Sequence, residues 1–235
     1  MMDFLSPQEW AALGLSLKVS LWATLGSLPL GVGMAWILAR RQFFGHGLVN
    51  AAVHLPLVLP PVVIGYGLLV LLGRGGVLGG WLYDVFGITL VFTWKGAAIA
   101  AAVMAFPLMV RAMRLSLEAV DRGLEDAART LGAKPIKVFV TITLPLMLPG
   151  VVTGGVLAFA RALGEFGATI TFVSNIPGQT RTLPLALYTL TQSPGGEAGA
   201  ARLAVLAVIV AVTALMMSEL LARRVKAKAE GHIHD

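Results

Sequence analysis

VSLWATLGSLPLGVGMAWILA, residues Val19–Ala39, contains no charged side chain and is closed by Arg40-Arg41. At about 1.5 Å per residue, a helical run of this length crosses the roughly 30 Å hydrocarbon core of a bilayer. A helix also satisfies its own backbone there, where water cannot. Upstream, Ser6-Pro7-Gln8-Glu9 is a helix start. Ser6 can cap, Pro7 suits the first turn, and Glu9 can close a capping box. No basic n-region or A-x-A site precedes the apolar run, so a retained helix is expected rather than a cleaved leader.

The rest of the chain repeats this theme. Hydrophobic residues make up 57% of the 235 positions and charged residues 13%, against about 25% charged in an ordinary soluble domain. Mean hydropathy is +0.83. So much apolar surface requires lipid as solvent. The expected fold is an all-α polytopic transmembrane protein with about five spans, over 16–39, 49–72, 88–110, 149–172 and 203–221, in a single domain. Leu55-Pro56 and Pro60-Pro61 should bend the second span against protein or a water-lined cavity. Lys95 lies near a span end and can snorkel.

The net charge of +6 is distributed by position. The 40–48 loop, the 111–146 loop and the tail with Arg223, Arg224, Lys226 and Lys228 hold twelve Lys and Arg. The other side has Arg74 and Arg181, with Lys18, Lys95 and Arg202 near span ends. The bias places the basic loops in the cytoplasm, the N-terminus outside and the C-terminus inside. It reads as orientation, not as nucleic-acid binding. The chain has no cysteine, which excludes disulfides, thiol nucleophiles and Cys-ligated zinc. His46 and His54 read as turn and interface residues, and His232 and His234 sit in a short tail, so no metal site is expected.

Within the loop over 115–146, Leu124-Glu125-Asp126-Ala127-Ala128-Arg129-Thr130-Leu131-Gly132-Ala133 opens as a helix. Asp121 can cap it, and Gly132 can end it in a left-handed conformation. Pro135 can open a second short helix through Ile142, ended by Leu144-Pro145. Leu124, Leu131, Ile136, Val138, Phe139 and Val140 are too apolar for a solvated linker. They call for a partner surface, which small Ala127 and Ala128 would let approach closely.

These residues resemble a motif of the permease subunits of binding-protein-dependent ABC importers: E-A-A, three residues, G, nine residues, I, one residue, L-P. The chain has Asp126-Ala127-Ala128, Gly132, Ile142 and Leu144-Pro145 at those spacings, with Asp126 replacing the usual Glu and Glu125 beside it. The resemblance implies a coupling helix seated in a cleft of a cytoplasmic ATPase, whose closure on ATP switches the spans between inward and outward access. It also implies a homodimer, two ATPase subunits and one external binding protein that meets the outer loops 73–87 and 174–200. ATP and Mg would be bound by the ATPase. The chain has no GxxxxGK[ST] loop of its own. It is thus expected to be a transport subunit of the bacterial inner membrane and not an enzyme.

His54-Leu55-Pro56-Leu57-Val58-Leu59-Pro60-Pro61, Phe106-Pro107-Leu108-Met109-Val110-Arg111 and the stretch Phe159 to Gly178 look like the molybdate importer's permease. Molybdate, with tungstate alongside, is the cargo this implies, and sulfate is the alternative. Arg161 and Glu165 lie i, i+4 in the fourth expected span. Either they line the path, with Arg161 facing a dianion, or they form a self-neutralising pair that locks helix packing. A strong cationic site would hold a dianion too tightly for release, which favours packing. Thr169, Thr171, Ser174 and Asn175 could bond an anion or satisfy backbone near the outer interface. A gradient-driven transporter would need repeats and more intramembrane carboxylates. An intramembrane enzyme would need a nucleophile–base pair or a metal motif, and neither HExxH nor GxSxG occurs.

Overall fold

The computed structural model describes residues 5–231, with side chains beyond Met217 described only at Leu220. His232 and His234 lie outside the described residues, as do the side chains of Arg223, Arg224, Lys226 and Lys228. The described residues are helical without strands. The helices are α1 (Pro7–Arg40), α2 (His46–Val58), α3 (Pro61–Leu72), α4 (Val77–Phe86), α5 (Trp94–Glu118), α6 (Arg122–Thr130), α7 (Pro135–Val138), a π-helical segment (Phe139–Thr143), α8 (Leu144–Leu163), α9 (Gly167–Val173), α10 (Leu183–Thr191) and α11 (Glu197–Gly231). Four stretches are long and apolar enough to cross a membrane: α1, α5, α7 through α8, and α11. A fifth arises if the bent pair α2–α3 counts as one.

Helix α1 begins as its start signal predicts. Ser6 Oγ accepts from Glu9 N–H at 3.3 Å, and Ser6 N–H donates to Glu9 Oε2 at 2.6 Å. The helix runs straight into the first span, so the span starts nine residues earlier than the expected 16.

The other spans depart from their expected bounds, each for a local reason. The second is not one bent helix over 49–72. It breaks at Leu59-Pro60, and α2 meets α3 at 114°. Leu59 precedes the Pro60-Pro61 pair and sits in the extended region that a following proline favours, at φ −74° and ψ 144°, and there the helix stops. The third starts at Trp94 rather than 88 because Thr93 caps it, its Oγ1 accepting from Gly96 N–H at 3.2 Å. It also continues to Glu118, where Arg114 and Glu118 pair at 2.7 Å, so the loop begins later than 115.

The fourth expected span, 149–172, is displaced. Its helix runs from Pro135 to Leu163 and stops at Gly164, leaving α9 separate. The second loop helix is therefore not ended by Leu144-Pro145. In the π turn Leu144 N–H bonds to Phe139 C=O, five residues back. This wider register accommodates Pro145 without breaking the rod. The fifth candidate span is Glu197–Met217 rather than 203–221, within a helix that runs on to Gly231. The segments expected as outer loops also contain helices. Val77–Phe86 is helical, and so is Leu183–Thr191, which buries Leu183, Leu185 and Ala186.

The core is a three-helix packing of α1, α5 and α8. Many of its buried side chains are small or unbranched, among them Ala35, Ala97, Ala100, Ala101, Ala105, Met109, Met113, Met147 and Ala158. Small residues let membrane helices approach until backbone touches side chain. Gly154 illustrates this, since an added Cβ would lie 2.9 Å from the Met109 carbonyl oxygen. Helix α11 buries little of its apolar surface against the rest of the chain.

Candidate functional site

The end of the bundle that carries Arg40, Arg41, Arg122 and Arg129, here the basic face, contains the most heavily tethered polar structure. Asp121 caps α6, its Oδ1 accepting from Gly123 N–H at 2.8 Å. At the far end Gly132 has φ +83°. Ala133 N–H donates to Ala128 C=O at 3.1 Å and Gly132 N–H to Arg129 C=O at 2.9 Å. These two bonds make a Schellman turn, so α6 is fixed in length at both ends.

Its orientation is fixed by Glu125. This carboxylate is buried, and its Oε1 accepts from Arg40 Nη2 at 3.2 Å and from Thr143 Oγ1 at 2.8 Å. Arg129 Nη2 stands 3.9 Å from its other oxygen. The Arg40 side chain is only 8% exposed, and its Nη2 also donates to Val120 C=O at 3.1 Å. Arg122 donates to Ala39 C=O at 3.1 Å, satisfying a carbonyl at the end of α1. Trp36 packs edge-on against Phe139, with ring centroids 6.5 Å apart. One buried ion pair and its neighbours thus bind three elements: the end of α1, helix α6 and the π segment.

The two adjacent acids divide the work. Glu125 points inward as the anchor. Asp126 is exposed and pairs with Arg129 at 2.9 Å. On the outer face Leu124 and Leu131 are exposed, at 49% and 88%, together with Ile136 and Val140. Ala127 is exposed and Ala128 half-buried, Ile142 and Leu144 are half-buried, and Pro145 is exposed. An apolar, small-residue surface stands on a rigid mount, which is what a docking element needs. Arg40 and Thr143 were not singled out as site residues in the sequence, where Arg40 counts only as an orienting charge. The available signal was that a span-ending arginine and a loop carboxylate share one membrane interface.

The second pair is arranged differently from a helix-face pair. Arg161 Nη1 lies 2.6 Å from Glu165 Oε2, but Glu165 sits in the break between α8 and α9. Its Oε1 accepts from Ala168 N–H at 2.8 Å. One buried carboxylate therefore ties the end of α8 to the start of α9. Thr169 is buried, and Thr171 Oγ1 donates back to Gly167 C=O at 2.9 Å. Ser174 adopts φ +64°, and its carbonyl accepts from Thr180 Oγ1 at 3.0 Å. Asn175 bonds Thr189 at 2.8 Å and Arg181 at 2.9 Å. Among the described residues no group of three or more His, Cys, Asp or Glu could hold a metal ion.

Apolar helices long enough to cross a bilayer, packed around a common core, define a polytopic membrane protein. The family model described as "Binding-protein-dependent transport system inner membrane component" matches residues 27–227, and the chain belongs to that family. It is 64% identical over 219 residues to the molybdenum transport system permease protein ModB of Escherichia coli (strain K12), covering 93% of this chain and 96% of that one. It is 56% identical over 228 residues to ModB of Haemophilus influenzae, covering 97% and 100%. A crystal structure of a bacterial ABC transporter involved in alginate import superposes with a TM-score of 0.75 at 18% identity, over 94% of this chain and 81% of that one. At that identity it shows the fold alone.

Proposed function

We infer that this chain is the permease subunit of an ATP-driven importer that carries molybdate, and tungstate with it, across the inner membrane. The observation that supports the cargo most is the 64% identity to a molybdenum permease along nearly the whole of both chains. In this reading the basic face is cytoplasmic and the N-terminus is outside. Two copies of the chain enclose the path about a two-fold axis. Each copy seats α6 in one ATPase subunit, which supplies ATP and Mg, and an external molybdate-binding protein delivers cargo to the opposite end.

The mechanism follows from the mount. When two ATPase subunits close on ATP, the force enters through the exposed face of Leu124, Ala127 and Leu131. It cannot dissipate in a flexible loop, because both ends of α6 are capped. It passes through Glu125 and Arg40 to α1, and through the continuous α7–π–α8 helix to the core. Packed helices of this kind switch between discrete arrangements.

Uptake into proteoliposomes holding the permease and its ATPase, with the binding protein outside, tests this. ATP-dependent molybdate entry that excess sulfate does not reduce is expected. Entry without the ATPase would defeat the reading, and competition by sulfate would reassign the cargo. A second expectation concerns Gly132. A Cβ there meets nothing within 4 Å, so the penalty lies in the backbone alone, about 1–2 kcal/mol for holding an L-residue left-handed. Gly132→Val should reduce uptake about tenfold with insertion unchanged, and Gly132→Asn, which tolerates this conformation, should recover most of it. Uptake of wild-type size by the valine variant would mean that the turn is not needed for coupling.

A further inference from the structure

Helix α9 is held by two different neighbours through one residue, Ala168. On one side the Ala168 N–H donates to Glu165 Oε1 at 2.8 Å, and Glu165 Oε2 lies 2.6 Å from Arg161 Nη1 on α8. On the other side α9 meets α3 at two glycines, one from each helix. A Cβ on Gly65 would stand 2.9 Å from Ala168 Cα and 2.9 Å from Thr171 Cβ, and a Cβ on Gly167 would stand 2.8 Å from Pro61 Cβ. Helices in contact this close have no free space in which to slide past each other. Ala168 and Phe172 are fully buried.

The junction between α3 and α2 has the opposite character. Pro60 and Pro61 have no N–H to return to α2. The first bond of α3 goes to its own cap residue, from Val63 N–H to Pro60 C=O at 2.9 Å, and no side chain caps the helix. Helix α3 stands at 114° to α2 and packs chiefly on α9. Backbone rotations during a domain movement concentrate at such weakly tethered element ends.

We propose that Glu165 is a positioning residue for transport: it fixes α9 to the end of α8, so that α8, α9 and α3 move as one body and turn about Leu59-Pro60 against α2. Glu165 spans the break that Gly164 makes in an otherwise continuous path from the basic face. Arg161 matches its charge, so the link adds no net charge inside the bundle. The inference rests on the reading of the chain as an ATP-driven permease.

The test uses the complete complex in proteoliposomes. The chain has no cysteine, so paired cysteines can be spin-labelled before assembly with the ATPase and diluted into unlabelled chain. Val70 with Ile170 reports α3 against α9, and Leu48 with Val70 reports α3 against α2. Electron paramagnetic resonance with and without ATP should show the first separation constant and the second changed. Glu165→Ala should abolish the change in the second pair. Molybdate carried per ATP should then fall about tenfold, as for loss of a hydrogen bond to a charged group, while hydrolysis continues. Arg161→Gln with Glu165→Gln removes both charges but keeps an acceptor for the Ala168 N–H, and should recover most of the uptake. If Glu165→Ala fails to fold, the two separations in the unmutated background carry the test. With wild-type uptake normal, the inference alone is overturned if the first separation changes with ATP or the second does not. It is also overturned if Glu165→Ala stays coupled, or if the double variant is as uncoupled as Glu165→Ala. Absence of ATP-driven uptake by the wild type would instead sink the permease reading, and the inference with it.

Discussion

Glu125→Ala is expected to abolish ATP-driven uptake while leaving the chain inserted in the membrane. The substitution removes the only carboxylate bonded to Arg40 among the described residues and leaves a guanidinium buried without its counter-charge. Breaking a buried pair from one side costs about 3–5 kcal/mol. Thr143 loses its acceptor in the same step. The loss falls on the joint between α6 and α1 and not on the packed core, so the helices should still form while α6 loses its fixed orientation. The expected signature is separation of two activities: the associated ATPase continues to hydrolyse ATP while transport stops. A double substitution, Glu125→Leu with Arg40→Met, removes both charges and should restore much of the thermal stability of the single variant, because an apolar pair of similar size replaces a buried ion pair at little cost. Wild-type uptake by Glu125→Ala would show that the ion pair plays no part in coupling.

Gly150→Leu should have the opposite character, with little folded protein to assay. A Cβ at Gly150 collides with Cβ and Oγ of Ser116, and one at Gly154 comes within 2.9 Å of the Met109 carbonyl. Glycines four residues apart on α8 thus let α5 approach backbone to side chain. Overpacking a fitted interface costs about 1–3 kcal/mol even when neighbours yield, and occasionally more. Here the obstacles lie on another helix, which must move as a body. A fall in the yield of monodisperse protein after detergent extraction is expected. Gly155→Ala is the internal control, because a Cβ there would meet Leu28 Cδ1 at an ordinary 3.5 Å. It should extract as the wild type does. If both variants behave alike, close approach at Gly150 is not what holds α5 to α8.

Much of this was legible in the sequence, and the failures have physical causes. The membrane-crossing character was written in charge-free runs such as Val19–Ala39, because hydropathy is a local property of the chain. The Gly132 turn was legible for the same reason: a left-handed residue at a helix end is a local requirement. Span boundaries were less so. Nothing apolar distinguishes Leu59, where the helix breaks, from Leu144, where it continues. A second proline beside the first forces the former, and a change of hydrogen-bond register rescues the latter. The 183–191 segment was hidden by its polar flanks, although its own Leu183, Leu185 and Ala186 are buried. The Arg40–Glu125 contact spans 85 positions. Two charges that far apart carry no local mark of their meeting, so the motif shows Glu125 beside Asp126 but gives no sign that it pairs with Arg40.

The unbroken course of Pro135–Leu163 has one more consequence. Its 29 residues give a rod about 43 Å long. A tilt of about 10° around its midpoint would carry the two ends about 4 Å in opposite directions. The end beside Gly132 would move one way, and the end tied through Glu165 to α9 would move the other. A small angular displacement at the basic face is thereby delivered, reversed in direction, to the helices at the other end of the bundle.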